Sequence, residues 1–124
     1  MVDLAAFPDV EVAVMDLIED LATVGTTTPA DLIQQLPFVR VLRFGGSDDR
    51  FTDSPRIDID VFESTRPLAF TLAETIRARL LSFPHVINGV VIDKATTLVG
   101  PQEVPWSDPN VRHLTASYTV ALRR

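Results

Sequence analysis

The chain has 124 residues, 46% of them hydrophobic and 23% charged, which is ordinary globular composition and sets an expectation of one domain over residues 1–124. Its 11 basic and 17 acidic side chains leave a net charge of −6, which argues against a generic nucleic-acid clamp, and the absence of cysteine excludes disulfides, thiolate nucleophiles and Cys-based zinc sites. No apolar run approaches the roughly 20 residues needed to span a bilayer, and the N-terminus lacks the basic-then-apolar pattern of a secretory leader, so no membrane partner is expected.

In chain order, the first element is a helix from Pro8 to about Thr23. Val10, Ala13, Val14, Leu17, Ile18 and Leu21 recur at helical spacing, Pro8 suits the first turn, Asp9 and Glu11 favour the positive end of the dipole, and Gly25 stops it. Val12 and Met15 fall beside the main stripe, either at the edge of a wide core face or against a neighbouring subunit. Residues 26–37 read as irregular, with one helical turn after Pro29. Phe38 to Phe44 reads as a strand with Phe38, Arg40, Leu42 and Phe44 on one face and Val39, Val41 and Arg43 on the other.

Gly45–Gly46 ends that strand, and residues 45–55 read as a long loop dense in turn formers. Arg56 to Glu63 is a second strand, with Ile57, Ile59 and Val61 opposite Arg56, Asp58, Asp60 and Phe62. A second helix begins near Thr65, with Pro67 in its first turn and Leu68, Leu72, Ala73, Ile76 and Leu80 as its stripe, and closes at Phe83–Pro84. A strand over about Gly89 to Val99, a Pro-rich connection over residues 100–109 and a last alternating strand over about Val111 to Leu122 complete the chain. The order α-β-β-α-β-β points to an α+β, two-layer α/β sandwich: a mainly antiparallel four-stranded sheet with two helices packed on one face.

The candidate chemistry is sparse. His85 stands at a helix-to-strand corner and His113 on the polar face of the last strand, neither with a cysteine or an adjacent His/carboxylate cluster at ligand spacing, so both read as structural or surface groups. Asp58 and Asp60 share a strand face about 6.6–7 Å apart, a spacing open to paired-carboxylate or hard-cation chemistry. Arg56 shares that face and Arg40 and Arg43 lie on the expected partner strand, so cross-strand ion pairs satisfy the same residues without chemistry.

The loop Asp48-Asp49-Arg50-Phe51-Thr52-Asp53 lacks the lysine and spacing of a phosphate loop and the periodic oxygens of a helix-loop-helix calcium site. Phe51 beside Arg50, rimmed by aspartates, has the make-up of an interface anchor; the alternative is a solvated turn with Phe51 folded back onto the core. Trp106, between Pro105 and Pro109, reads as a local core plug or an interface anchor. No cofactor or metal site is expected.

Taken in order, Leu36-Pro37-Phe38-Val39-Arg40-Val41, then Gly45-Gly46 with Asp48 to Asp53, then Pro55-Arg56-Ile57-Asp58-Ile59-Asp60-Val61-Phe62, resemble the tail-terminator proteins of long-tailed bacteriophages, in the form found in phages and prophages of GC-rich actinobacteria. Val99-Gly100-Pro101, Pro105-Trp106, Asp108 to Arg112 and a final strand with Tyr118, Val120 and Leu122-Arg123 extend the resemblance over essentially the whole chain. It implies a small α/β virion protein without catalytic residues. Such proteins form a six-membered ring that caps the growing tail tube, stops its polymerisation and meets the head connector. The implied partners are further copies of the chain, the major tail tube protein and the connector. The implied location is the tail–neck junction of the virion, reached from the host cytoplasm.

The physics of such a ring requires two different complementary patches per subunit. Arg43, Asp48, Asp49, Arg50, Phe51, Asp53, Arg56, Asp58 and Asp60 are candidates for one, Val12 and Met15 for another, and Trp106 for either. A net-negative ring would let DNA pass through its bore without holding it. Two other readings stay open: a different head–tail joining or neck protein, and a small carboxylate-based enzyme or ligand-binding domain using Asp58, Asp60 and His113.

Overall fold

The computed structural model describes residues 6–123. Its elements are α1 (Val10–Ile18), β1 (Thr23–Gly25), a 3-10 turn (Leu32–Gln35), β2 (Phe38–Asp48), β3 (Thr52–Glu63), α2 (Arg66–Leu81), β4 (His85–Ile87), β5 (Val90–Glu103) and β6 (Arg112–Arg123). The strands form one sheet in the order β1-β2-β3-β6-β5-β4. β1 runs parallel to β2, and the other neighbours are antiparallel. The expected four-stranded, mainly antiparallel two-layer sandwich is therefore replaced by a six-stranded mixed sheet. The sheet curls, so that α1 packs against β1 and β2 at one edge and β4 at the other, with Asn88 Nδ2 donating to Asp16 at 2.8 Å.

The differences have local causes. α1 ends at Ile18 rather than near Thr23, because the Arg79 guanidinium of α2 reaches the Leu17 carbonyl (3.1 Å) and the Asp20 carboxylate. That arginine serves the exposed carbonyl end of the helix and also holds Asp20 below its ordinary pKa. The chain is then free to lay Thr23–Gly25 beside Phe38–Arg40. Gly45–Gly46 does not end β2. Gly45 (φ 67°) and Gly46 (φ 108°) form an irregularity, after which pairing resumes at Gly46–Pro55 and runs to Asp48–Asp53. A Cβ on Gly46 would stand 2.4 Å from the Ser54 carbonyl oxygen, so glycine is required there.

β4 and β5 form a tight hairpin through Asn88 (φ 50°) and Gly89 (φ 79°), the residue pair that a two-residue hairpin turn prefers. β5 continues through Pro101 to Glu103, where the expected connection began. The register shifts between Val99 and Gln102, so Pro101 sits where no ladder bond is lost.

α2 keeps its expected start, whereas α1 begins at Val10, with Asp9 as its cap and Pro8 before the helix rather than in its first turn. Asp9 accepts from the Glu11 and Val12 amides, and Thr65 accepts from Leu68. Val10, Ala13, Val14 and Ile18 of α1 and Ala69, Ala73, Ile76 and Leu80 of α2 join one core with Val39, Val41, Ile57, Ile59, Val61, Leu114, Ala116 and Tyr118. The Tyr118 phenol, fully enclosed, is pushed up to about 12 by burial and is neutral. Leu68 lies outside that core at 52% exposure, one position off the buried stripe that begins at Ala69.

Ile76→Ala should cost about 2–5 kcal/mol in urea unfolding, because the cavity is walled by both layers. Leu17→Ala should cost less, since Leu17 is only half-buried. Equal losses would mean the helical faces are wrongly assigned.

Candidate assembly surfaces

The β2–β3 hairpin forms an arm, and its base is clamped. Arg43 Nη1 and Nη2 hold Asp53 Oδ2 and Oδ1 at 2.7 and 2.9 Å, a bidentate fork on a carboxylate that is 1% exposed. Donating to Asp53 raises the pKa of the guanidinium above its ordinary value. Arg43 also donates its backbone N–H to Glu11 Oε2 at 2.9 Å and its Nε–H to the Gly45 carbonyl, tying the bend to α1. Arg43 is thus on the helix-facing side, away from Asp58 and Asp60.

At the tip, Asp49 Oδ1 accepts the Phe51 and Thr52 amides at 2.8 Å each, and these bonds hold its carboxyl below the ordinary range. The turn therefore spans only Asp49 to Phe51, and the expected loop is mostly strand. With the turn closed by Asp49, Phe51 projects at 68% exposure, with the Arg50 guanidinium 5.8 Å from its ring centre. Phe51 is not folded back onto the core. Phe44, on the same arm, is also exposed.

The face of the sheet away from the helices carries Arg56, Asp58 and Asp60 in adjacent rows. Asp58 accepts from Ser117 Oγ at 2.7 Å and lies 3.7 Å from Arg56 Nε. Asp60 is 5% exposed and ties three strands together. Its Oδ2 meets Arg40 Nε and Nη2, both at 3.1 Å, and its Oδ1 meets His113 Nε2 at 2.8 Å. Burial opposes the charge on Asp60. The His113 hydrogen bond, the Arg40 charge and a Thr115 hydrogen bond outweigh it, and the carboxyl is held below its ordinary value.

His113 stacks on Phe62 (4.6 Å between ring centres, 6° between planes), and Trp106 closes edge-on over both rings at 4.8 and 5.3 Å. These groups join Phe38, Leu32, Leu36 and Val111 in a second, smaller core on this face. Trp106 is its half-buried cover, which agrees with the plug reading.

The fold sets one carboxylate, Asp60, against His113, a contact that no sequence spacing announces. The pairing of Phe62 with His113 in the β3–β6 register brings it about. Aligning residues 56–63 against 112–119 by their apolar alternation was the available signal. Asp60 is fully engaged by Arg40, His113 and Thr115, so the cluster reads as an internal tie rather than an acid–base pair poised on a cleft. Among the described residues no group of three or more His, Cys, Asp or Glu side chains could hold a metal ion. On α1, Val12 is exposed, and Met15 is half-buried against the main core.

The fold of this curled sheet with its projecting arm has a counterpart of known structure. It is shared, at a TM-score of 0.62 and 12% identity, with a chain of the virion of a native gene transfer agent particle, over 90% of this chain and 84% of that one. A family model described as phage tail termination protein matches residues 6–124, and the chain belongs to that family. It is a structural protein of the phage tail. No curated protein matches the chain.

Asp60→Asn should destabilise the fold by about 2–4 kcal/mol near neutral pH, because it strands Arg40 and His113 against a neutral partner. A carboxyl with a lowered folded-state pKa contributes stability above its unfolded value of about 3.9, and this is lost as pH falls through the folded value. The gap between wild type and variant should therefore narrow on acidification below about pH 4. Urea titrations across pH check this; a gap independent of pH would contradict it.

Proposed function

We propose that this chain closes the end of the tail tube as a ring, stops tube polymerisation and offers its other face to the head connector. The observation that carries the reading is the family match over residues 6–124. The projecting arm supports it: Arg43–Asp53 and Gly46 hold a stiff hairpin whose exposed tip is apolar at its centre and charged at its rim. An exposed large aromatic on a rigid support is the composition of a binding anchor.

The ring is a homo-oligomer, with six subunits as the resemblance implies. Its other partners are the major tail tube protein and the connector, at the tail–neck junction of the virion after assembly in the host cytoplasm. Head-to-tail closure needs two unlike patches per subunit. Asp48, Arg50 and Phe51 at the tip, with Arg56 and Asp58 on the sheet face, form one. Val12 and the rim of Met15 on α1 contribute to the other. Arg43, Asp49, Asp53 and Asp60, whose carboxylates and guanidinium are engaged internally, shape these surfaces rather than reach across them, and Trp106 braces the far end of the sheet face. The net charge of −6 suits a bore through which DNA passes unheld. No catalytic step belongs to this reading.

Phe51→Ala should leave thermal stability within about 0.5 kcal/mol, since the ring touches no core residue. Electron micrographs of particles carrying it should show tails of irregular length or tails without heads. Tails of normal length joined to heads would overturn the assignment of the tip. Asp49→Arg is the less clean variant, because Asp49 also closes the turn.

A further inference from the structure

The hairpin of β2 and β3 carries unlike features at its two ends. At one end Asp48 pairs with Asp53 below the tip; at the other Phe38 pairs with Phe62. β3 is 12 residues long, so the strand rise sets these ends roughly 36 Å apart. Beside the Phe38–Phe62 end, a cleft of about 230 Å³ opens between the 3-10 turn and the connection that precedes β6. Its apolar lining is Pro29, Ala30, Leu32, Ile33, Trp106 and Val111. Leu32 and Val111 are buried members of the small core with Phe38 and Phe62, so the floor is fixed, while Ile33 is exposed. Small-molecule sites run to about 300–1,000 Å³. This cleft suits one large side chain of a partner protein instead.

The charges presented at the two ends are opposite. Asp49 is turned into its own turn, where it accepts the Phe51 and Thr52 amides. Asp48 lies on the helix-facing side, across from Asp53 and close to Arg43. The apex therefore presents an aromatic ring with a cation beside it, Phe51 with the Arg50 guanidinium 5.8 Å from its centre. At the cleft, Asp108 lines one wall, and Asp31 stands in the chain between the lining residues Ala30 and Leu32. Asp108 accepts from the Asn110 amide and Asp31 from Gln35, and neither makes an ion pair among the described residues. Arg40 reaches Thr28 on the cleft wall, but its charge is matched by buried Asp60.

We propose that, within the ring, Phe51 of one protomer seats in this cleft of the next, on Leu32, Ile33 and Trp106, with Arg50 facing Asp108 and Asp31. The giving and receiving surfaces lie at opposite ends of one stiff hairpin, so the contact is head-to-tail and repeats around a closed ring. Burial of a large aromatic that the free chain leaves exposed drives the contact, and the charges at the rim fix its orientation. The Arg43–Asp53 fork keeps the arm stiff, so the tip arrives in a set place. The inference rests on the ring proposed above and names where the tip lands.

A photoreactive benzophenone analogue of phenylalanine in place of Phe51 keeps an aromatic group at the tip and reports what it touches. Irradiated in assembled particles, the chain should cross-link to further copies of itself and run as multimers on a denaturing gel. Mass spectrometry should place the links within residues 28–34 or 106–111. Such links join two protomers, because the tip and the cleft of one chain are too far apart to meet. Ile33→Glu should abolish the links with the melting temperature unchanged; Ala30→Glu, also exposed, serves if Ile33→Glu fails to fold. Links that persist in the folded variant, links to other residues of the chain, links to the tube protein or connector, or no links in particles that contain the chain would overturn the cleft contact and leave the ring reading standing. Wild-type particles that lack the chain would overturn the ring reading itself, and the contact with it.

Discussion

The register of β3 against β6 is the constraint on which the rest of the molecule depends. Ile57, Ile59 and Val61 face Tyr118, Ala116 and Leu114 across it, and the same alignment sets Asp58 beside Ser117 and Phe62 beside His113. One face therefore meets α1 and α2 with aliphatic side chains, and the other carries a satisfied polar and aromatic cluster. A slip of one residue would turn every one of these side chains over. The bonds from His113 to Asp60 and from Ser117 to Asp58 form only in the observed register, so they select it as well as occupy it. Burying a charged aspartate is costly, and a slipped pairing that left Asp60 without its partners would bear that cost in full.

From this centre the outer elements follow. β6 extends far enough to pair Leu122 and Arg123 with Asp53 and Thr52, which supports the hairpin arm from beneath. The Arg43–Asp53 fork and the Glu11 contact fasten the arm to α1, and Asp49 closes its tip. Asp53 and Asp49 thus do opposite things from what a solvated acidic loop suggests: one is buried in an ion pair and the other folds the turn. What remains outward is Phe51 with Arg50 and Asp48. In a tail protein, whose work is to be held in place between other proteins, a stiff arm with an exposed aromatic tip has a use that an active-site cleft does not.

Much of this was legible in the residues. The helical stripe from Val10 to Ile18, the Asp9 and Thr65 caps and the alternation of 38–44, 56–63 and 111–122 all carry local signals, and all correspond to elements. The two missing strands are three residues each, too short for alternation to show. β1 follows the early end of α1, where Arg79, 62 positions further along the chain, takes the Leu17 carbonyl. The Asn88–Gly89 turn was visible as a residue pair and marks β4. Gly45–Gly46 reads as a stop because glycine pairs usually punctuate; here the facing Pro55 and Ser54 backbone needs a residue without a side chain, and the strand continues. The Asp60–His113 contact joins residues 53 positions apart, and no local pattern reports it.

The proposed role is a position, that of a ring at the head-proximal end of the tail tube. Electron cryomicroscopy of particles in which the chain carries a compact tag measures that position directly. A single ring of tag density between tube and connector is the predicted result. Tag density distributed along the tube, or absent from the finished particle, would contradict it.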